Sequence, residues 1–483
     1  MAKSNKFFWK QDKFWGLSDD SRSGNPGSFR YGIGADVRSD TGRLQVAKKP
    51  VRDDGEIITK EVHWIEENSE NGDCYLYAED TIYREASGVY TIAHAMTEDS
   101  PNGQGLREFD GNLYYRTATS LGKYDYITWQ DDFQTGLESC IDWSMMCRFL
   151  NMMLVGHGRY VATLDDIGTW TVHRLTLPPG YNVRSIFRSG SYAVILATRG
   201  TSVSTSEEGY MFLWDGTSET YNDSTPLTGN PHAGISYRNK IMLIAGGEAQ
   251  IQESLGGIAD PIINIPDVSI GQTIEVYPGA IDTWRNLVHF GLAGGDADQV
   301  VRAVYTYGKK KNSVPDALNA EYPASHGGFI GTGYGITAIK KIGSTIRFAW
   351  KNGTSYGVDE VDINQYQFQA VIRTLAFDGN SPYEKVGFKL MIELAGKLKT
   401  GESIVGKMST EPYDDPTFAD SDTTANNTLT TVGEKKFELP LTVNDVPMRS
   451  QDLHAEITLA GTGSTRPAVK RMWVELDEES DQL

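Results

Sequence analysis

The sequence predicts an all-β protein: a β-propeller of six to eight blades followed by a C-terminal β-sandwich. Three observations carry that expectation. Short β-branched or aromatic runs bounded by Gly, Asn or Asp recur along most of the chain, and few windows have helical periodicity. Seven of these runs, at 75–77, 113–115, 160–162, 192–196, 241–244, 287–290 and 346–348, begin 38, 47, 32, 49, 46 and 59 positions apart, close to the length of a four-stranded unit. After about residue 370 the strands lengthen and alternate more regularly between apolar and polar positions.

Each run sits in a recurring order of parts: a Gly, Asn or Ser turn, a strand, a small-residue bend, and a second strand carrying an aromatic. Asp110-Gly111-Asn112-Leu113-Tyr114-Tyr115 followed by Leu121-Gly122-Lys123-Tyr124 is one instance, and 158–164 followed by Gly168-Thr169-Trp170-Thr171-Val172 is another. Arg238-Asn239-Lys240-Ile241 and Gly343-Ser344-Thr345-Ile346 open two more. A short antiparallel sheet cannot bury both faces alone, so regular recurrence argues for radial stacking, which also protects strand edges. A string of unrelated β-sandwiches sharing turn chemistry is the competing arrangement.

The last stretch reads as a sandwich. Runs at 371–377, 386–394 and 403–408 alternate, a polar loop over 414–427 holds hardly an aliphatic residue, and 436–441, 453–459 and 469–476 resume the alternation. The expected organisation is an N-terminal arm with its first strand over 1–50, a propeller over 51–370, a sandwich over 371–475 and an acidic flexible tail over 476–483.

Composition narrows the function. At 483 residues the chain exceeds one hydrophobic core, and 50 Gly, 11% aromatic and 23% charged residues describe a folded protein, not a disordered one. The net charge of −19 is opposite to what phosphate neutralisation needs, so nucleic acid is not an expected partner. The first 17 residues mix Lys with Phe7, Phe8, Trp9, Phe14 and Trp15 and lack the apolar stretch of a secretory signal. No run approaches the roughly 18 apolar residues of a spanning helix, so a water-soluble chain is expected. Cys74, Cys140 and Cys147 have spacings that fit neither a zinc knuckle nor a dithiol pair and read as reduced structural thiols. Sequons at Asn222, Asn352 and Asn426 carry no weight in turns rich in Asn, Ser and Thr.

The segment Gly27-Ser28-Phe29-Arg30-Tyr31-Gly32-Ile33-Gly34-Ala35-Asp36-Val37-Arg38, with Thr41-Gly42-Arg43-Leu44-Gln45-Val46, resembles the opening of bacteriophage virion proteins built as a propeller with a C-terminal β-sandwich. The order of the remainder, Tyr-rich repeats and then a sandwich starting near Tyr383-Glu384-Lys385-Val386, is similar to that class, to which tail nozzle proteins of short-tailed phages belong. The resemblance implies a multicopy structural part of a tail, neck or adsorption apparatus. It further implies neighbouring virion proteins as partners, a homo-oligomer in the particle and no turnover chemistry. The aromatic arm agrees, because Phe7, Phe8, Trp9, Phe14 and Trp15 are costly to leave in water and need cover from their own propeller or from a neighbouring subunit.

Motifs for chemistry are sparse. Thr163 to Trp170 resembles the Asp-box turn of sialidases with its Gly displaced by one place; that box stabilises a hairpin and is not itself catalytic. A propeller glycosidase would need arginines converging from Arg84, Arg107, Arg116, Arg148, Arg174 and Arg199, a Tyr nucleophile and an acid. The eight histidines, His63, His94, His157, His173, His232, His289, His326 and His454, have no metal-ligand spacing, and Asp73, Asp110, Asp131, Asp132 and Asp215 form no calcium loop. Gly103-Gln104-Gly105 and Gly331-Thr332-Gly333 read as turns. No cofactor, metal site or catalytic residue is therefore expected. Lys309-Lys310-Lys311 is the one compact basic spot, either a solvated hairpin tip or a contact for an acidic neighbour. A glycan-binding adhesin without turnover is the third function class, since rim Tyr and Trp residues stack on sugars as readily as they fill blade cores.

Overall fold

The computed structural model describes residues 6–18, 27–39, 42–96, 105–138, 145–199, 209–266, 268, 271–309, 315–327, 329–376, 385–409, 427–440, 442–443, 446–450 and 453–478. Within them the chain is all-β: strands and turns, with no helix.

Seven small sheets of four antiparallel strands follow one another. Sheet 1 comprises Val62–Glu67, Cys74–Ala78, Thr81–Ala86 and Val89–Ala95, and sheet 2 Leu106–Phe109, Asn112–Arg116, Ser120–Tyr124 and Trp129–Thr135. Sheet 3 holds Met146–Phe149, Met152–His157, Tyr160–Asp165 and Trp170–Thr176; sheet 4 holds Tyr181–Ser189, Tyr192–Arg199, Gly209–Trp214 and Asp223–Leu227. Sheet 5 is built from Pro231–Tyr237, Lys240–Ala245, Gln250–Ser254 and Asp260–Ile263, and sheet 6 from Ile281–Trp284, Leu287–Gly291, Val304–Gly308 and Ala317–Tyr322. Sheet 7 has Tyr334–Ile342, Thr345–Asn352 and Ser355–Tyr366, and its fourth strand comes from far earlier in the chain: Lys48–Arg52, with Val361 opposite Pro50. Pro50 cannot donate to a ladder, which suits this edge position.

Turn chemistry sets the register. The first two strands of sheets 2, 5 and 6 are joined by Asp110-Gly111, Arg238-Asn239 and Arg285-Asn286, each pair at positive φ, as the two-residue turn that matches strand twist requires. Consecutive sheets touch through their first strands. Val62–Glu67 meets Leu106–Phe109, and the contacts pass in order to Met146–Phe149, Tyr181–Ser189, Pro231–Tyr237, Ile281–Trp284 and Tyr334–Ile342, which meets Val62–Glu67 again. Apolar side chains fill each gap: Phe187, Leu196 and Met211 of sheet 4 pack with Ile241, Leu243 and Ala245 of sheet 5. Two glycines show how close the sheets come, since a Cβ on Gly234 would lie 2.5 Å from the Phe187 ring and one on Gly279 would lie 2.2 Å from the His63 carbonyl oxygen.

Two larger sheets combine strands from both ends of the chain. In the eight-stranded one, Lys385–Leu394 and Ala468–Glu478 are central, Leu44–Val46 and Ala35–Asp36 extend it, and Lys6–Gln11 pairs with Ala468–Glu478, Trp9 opposite Val474. The six-stranded one runs Gly16–Leu17, Ser28–Ile33, Gln369–Thr374, His454–Ala460, Ser403–Ser409 and Thr428–Leu429. Their inner faces meet where Gly406 of the smaller sheet lies against Phe437, Leu390 and Leu439 of the larger.

The aromatic arm has cover from its own chain. Its backbone cover is intrachain: Lys6–Gln11 pairs with the strand Ala468–Glu478, and Gly16 lies against Ala317 and Leu318 of sheet 6. Phe14 is buried and Trp15 half-buried; the side chains of Phe7, Phe8 and Trp9 lie outside what the structure describes. The described strands of 1–50 are shared between both larger sheets and sheet 7. The polar loop at 414–426 and the tail beyond 478 lie outside the described residues.

Arg38 joins the larger sheets to sheet 6. Only 2% exposed, it donates to Glu321 Oε2 (2.9 Å), Thr306 Oγ1 (2.6 Å) and the carbonyls of Thr306 (2.7 Å), Ala317 (2.5 Å) and Gly308 (3.1 Å). Removing one partner of such a pair strands the other charge in the interior. Arg38→Leu is expected to lower the unfolding free energy by about 3 kcal/mol in guanidinium titrations, and Arg38→Leu with Glu321→Leu to cost less than the single change.

Candidate functional site

The first strands of six sheets, with Met145 just before that of sheet 3, line a cavity of about 120 Å³: Trp64 and Glu66, Arg107, Phe187, Ile235, Ile281 and Asp282, and Ile339 and Lys340. Most of the lining is apolar, but four ionisable groups meet there. Glu66 accepts from Arg107 Nη1 at 3.0 Å and from Lys340 Nζ at 2.8 Å, one cation from sheet 2 and one from sheet 7. Burial pushes the Glu66 carboxyl up, yet the two cations outweigh it and hold the group below its ordinary range. Asp282 accepts from the backbone amides of Thr283 (2.7 Å) and Lys341 (2.8 Å). The charges at this convergence are therefore spent on one another and on the backbone.

A second polar cluster lies where the first strands begin. Lys351 donates to Glu61 at 3.0 Å and to the Tyr277 hydroxyl at 3.3 Å, the His63 ring sits 5.7 Å from that of Tyr277, and Arg184 pairs with Glu275. Val276 N donates to His232 Nδ1 at 3.3 Å. Burial holds the His63 imidazole well below its ordinary value, with Lys351 adding to the effect, and burial with Arg184 holds His232 at about 3. His157 is held at about 4 by burial, its Nδ1 accepting from Glu138 N (3.1 Å) and its Nε2 bonded to the Val172 carbonyl (2.8 Å). Four further described histidines pack on rings: His94 on Trp129 at 4.5 Å, His173 on Tyr160 at 4.1 Å, His289 on Tyr322 at 6.2 Å and His326 against Trp350 at 4.4 Å.

The Asp-box-like turn has the geometry its sequence suggests. Asp165 Oδ1 accepts from the amides of Ile167 (3.2 Å) and Thr169 (2.6 Å), and Trp170 Nε1 donates across to the Thr135 carbonyl of sheet 2 at 3.4 Å. Sequence reading missed two further turns at the same place between third and fourth strands. Asp125 caps Ile127 and Thr128 at 3.0 and 2.6 Å, and Asp215 caps Thr217 and Ser218, each at 2.8 Å. The signal was present in part, since Asp125-Tyr126-Ile127-Thr128-Trp129 repeats Asp165-Asp166-Ile167-Gly168-Thr169-Trp170 with one residue deleted. Ile127 and Ile167 occupy equivalent positions and are 87% and 84% exposed.

Of the six arginines considered for a glycosidase, Arg107 alone lines the cavity shared by the seven sheets. Arg84 pairs with Asp73, Arg116 donates to the Glu138 carbonyl and Arg174 to that of Thr217, on separate strands. Lys309 is half-buried, its carbonyl accepting from Arg238 at 2.6 Å, whereas Lys310, Lys311 and Cys140 lie outside the described residues.

No protein-family model and no curated protein matches the chain. Among solved structures it is similar to the extracellular domain of a hybrid two-component system from B. thetaiotaomicron (12% identity, TM-score 0.48, 78% of this chain and 48% of that one). It is also similar to the computationally designed Ika8 protein (12% identity, TM-score 0.40, 65% and 99%) and to a chain of a mitotic checkpoint complex (10%, 0.43, 67% and 95%). The chain spans about half the length of the bacterial protein. Scores below 0.5 leave function to be argued from this chain's own residues.

Two outcomes follow from the buried charges. Glu66→Gln, which leaves Arg107 and Lys340 facing a neutral amide, is expected to cost about 2 kcal/mol in equilibrium unfolding. His63, His157 and His232 have folded pKa values depressed below the unfolded value near 6.5. They contribute stability that is complete above that value and is lost as pH falls toward 4 and 3. Asp359 works the other way: burial raises it to about 6, so its contribution is complete near pH 4 and fades above. His326 is lowered by burial as these three are and Glu61 raised as Asp359 is; with four imidazoles against two carboxyls, unfolding free energy is expected to drop between pH 6.5 and 4, and less steeply in His157→Gln.

Proposed function

We propose that the seven small sheets close into a seven-bladed β-propeller, that the two larger sheets form a β-sandwich, and that together they serve as a non-catalytic docking part of a phage particle. The ring is supported by first-strand contacts that return to their start and by the axial cavity that strands of six sheets and Met145 line. Sheet 7 takes its last strand from residues 48–52, a closure that ties the end of such a ring to its beginning.

One observation carries the docking role over turnover. The axial cavity, at about 120 Å³, is well below the roughly 300–1,000 Å³ of ligand pockets, and its cations are bound to Glu66. Such a centre is a packed hub. The uncovered Ile127 and Ile167, repeated on adjacent sheets, give the turn face apolar points for a neighbouring protein. The segment that resembles phage virion proteins, 27–46, contributes Ser28–Ile33, Ala35–Asp36 and Leu44–Val46 to the two larger sheets.

A mass-spectrometric inventory of purified phage particles from cultures expressing this chain tests the reading. The expected result is the chain at a fixed ratio to the other particle proteins. Its absence from intact particles, or release of monosaccharide from sialylated substrates by the purified protein, overturns it.

A further inference from the structure

A second cavity lies at the turn end of the interface between sheets 4 and 5. It measures about 390 Å³, within the range of small-ligand sites. Its apolar floor is Leu213 and Ile241, both buried in the core between the two sheets. Its rim is different in kind. Tyr192, partly exposed at 41%, and Leu255, 82% exposed, offer apolar surface, while Asp223 and Asn239 supply a carboxylate and a carboxamide.

These polar groups are free to serve a ligand. Asp223 Oδ1 takes the Ser224 amide at 2.8 Å and leaves Oδ2 open. Among the described residues, no side-chain hydrogen bond engages Asn239 or the Tyr192 hydroxyl, whereas Asn222 and Ser254 on the same rim are consumed by Asp215 and by the Gly256–Gly257 turn. The positions are fixed: Asn239 sits in the tight turn of sheet 5 at positive φ, and Tyr192 is held opposite Ser189 in the ladder of sheet 4.

We propose that this pocket binds a neutral saccharide unit. A pyranose has an apolar C–H face that packs on Tyr192 and Leu255 and hydroxyls that donate to Asp223 and exchange bonds with Asn239. An apolar peptide side chain would fill the floor but leave the carboxylate and carboxamide desolvated without partners, which is costly. Acidic sugars are disfavoured, because Asp223 is joined nearby by Asp215 and Glu219, a short way along the same loop. The inference stands on the packing of two adjacent sheets and does not need the phage assignment, so particle proteomics and the following test fail independently.

The test is saturation-transfer NMR with the full chain against methyl glycosides of glucose, galactose, mannose and N-acetylglucosamine, and against 3′-sialyllactose, followed by calorimetric titration of any binder. At least one neutral glycoside is expected to bind, more tightly than sialyllactose. Tyr192→Ala and Asp223→Ala are each expected to weaken it about tenfold, and Tyr192→Phe to stay within about twofold, since the ring face does the stacking. Both positions are solvent-accessible, and circular dichroism confirms folding of the variants. Four results overturn the proposal: no neutral glycoside binds, sialyllactose binds equally well, binding survives Tyr192→Ala and Asp223→Ala, or peptides occupy the pocket where glycosides do not.

Discussion

The constraint on which the rest depends is that a twisted four-stranded sheet with apolar residues on both faces cannot stay dry alone. Leu113 and Tyr115 of sheet 2 point to one side and Tyr114 to the other, and all three are buried. Sheet 2 accordingly packs on sheet 1 through Tyr75, Tyr77 and Leu113 and on sheet 3 through Phe109, Tyr114 and Met153. Every small sheet has two such neighbours, and a run of sheets with two sticky faces ends only by capping its outermost faces or by meeting itself. Sheet 7 packs on sheet 1 through Ala338, Ile342 and Val358 and takes its outer strand from residues 48–52.

How legible this was in the sequence depends on strand chemistry. Six of the seven runs recognised at the outset fall in the second strand of their sheets, where β-branched and aromatic residues are densest. The seventh, at 160–162, is the third strand of sheet 3, because its second strand opens Met152-Met153-Leu154, which has no β-branched or aromatic marker. Measured between the true second strands, at 74, 112, 152, 192, 240, 287 and 345, the spacings become 38, 40, 40, 48, 47 and 58. Most of the apparent irregularity was a change of strand. The residue of it lies in sheet 6, where 292–303 interposes a non-strand excursion, and in the chain between sheets 6 and 7.

The cavity shared by the seven sheets was not legible, for a physical reason. Glu66, Arg107 and Lys340 are ordinary surface-type residues on strands separated by 41 and 233 positions, and nothing local distinguishes them from other carboxylates and cations. Only the alignment of first strands brings them together. The Asp-capped turns were half legible: Asp165 was noticed through its Gly and Trp, whereas Asp125 lacks the Gly and Asp215 lacks a following Trp. The turn needs a carboxylate oxygen facing two amides, and several sequences deliver that geometry.

The same logic explains why the chain's two ends are interleaved. Leu44–Val46 belongs to the eight-stranded sheet through Ala468–Glu478, and two residues later Lys48–Arg52 belongs to sheet 7. A force or thermal fluctuation that opens sheet 7 at its outer strand therefore pulls on a ladder closed by the last strand of the chain. Arg38, with its guanidinium among Thr306, Ala317 and Glu321, resists the same displacement from the side of sheet 6. Neither part can complete its outer edge from a contiguous stretch of sequence, so formation of each waits on residues supplied with the other, and contacts spanning more than 400 positions must form before the native edges exist. The cost is slow assembly. The return is that the join between the small sheets and the two larger ones is made of backbone ladders and a buried ion pair, and does not rely on a linker to hold its geometry.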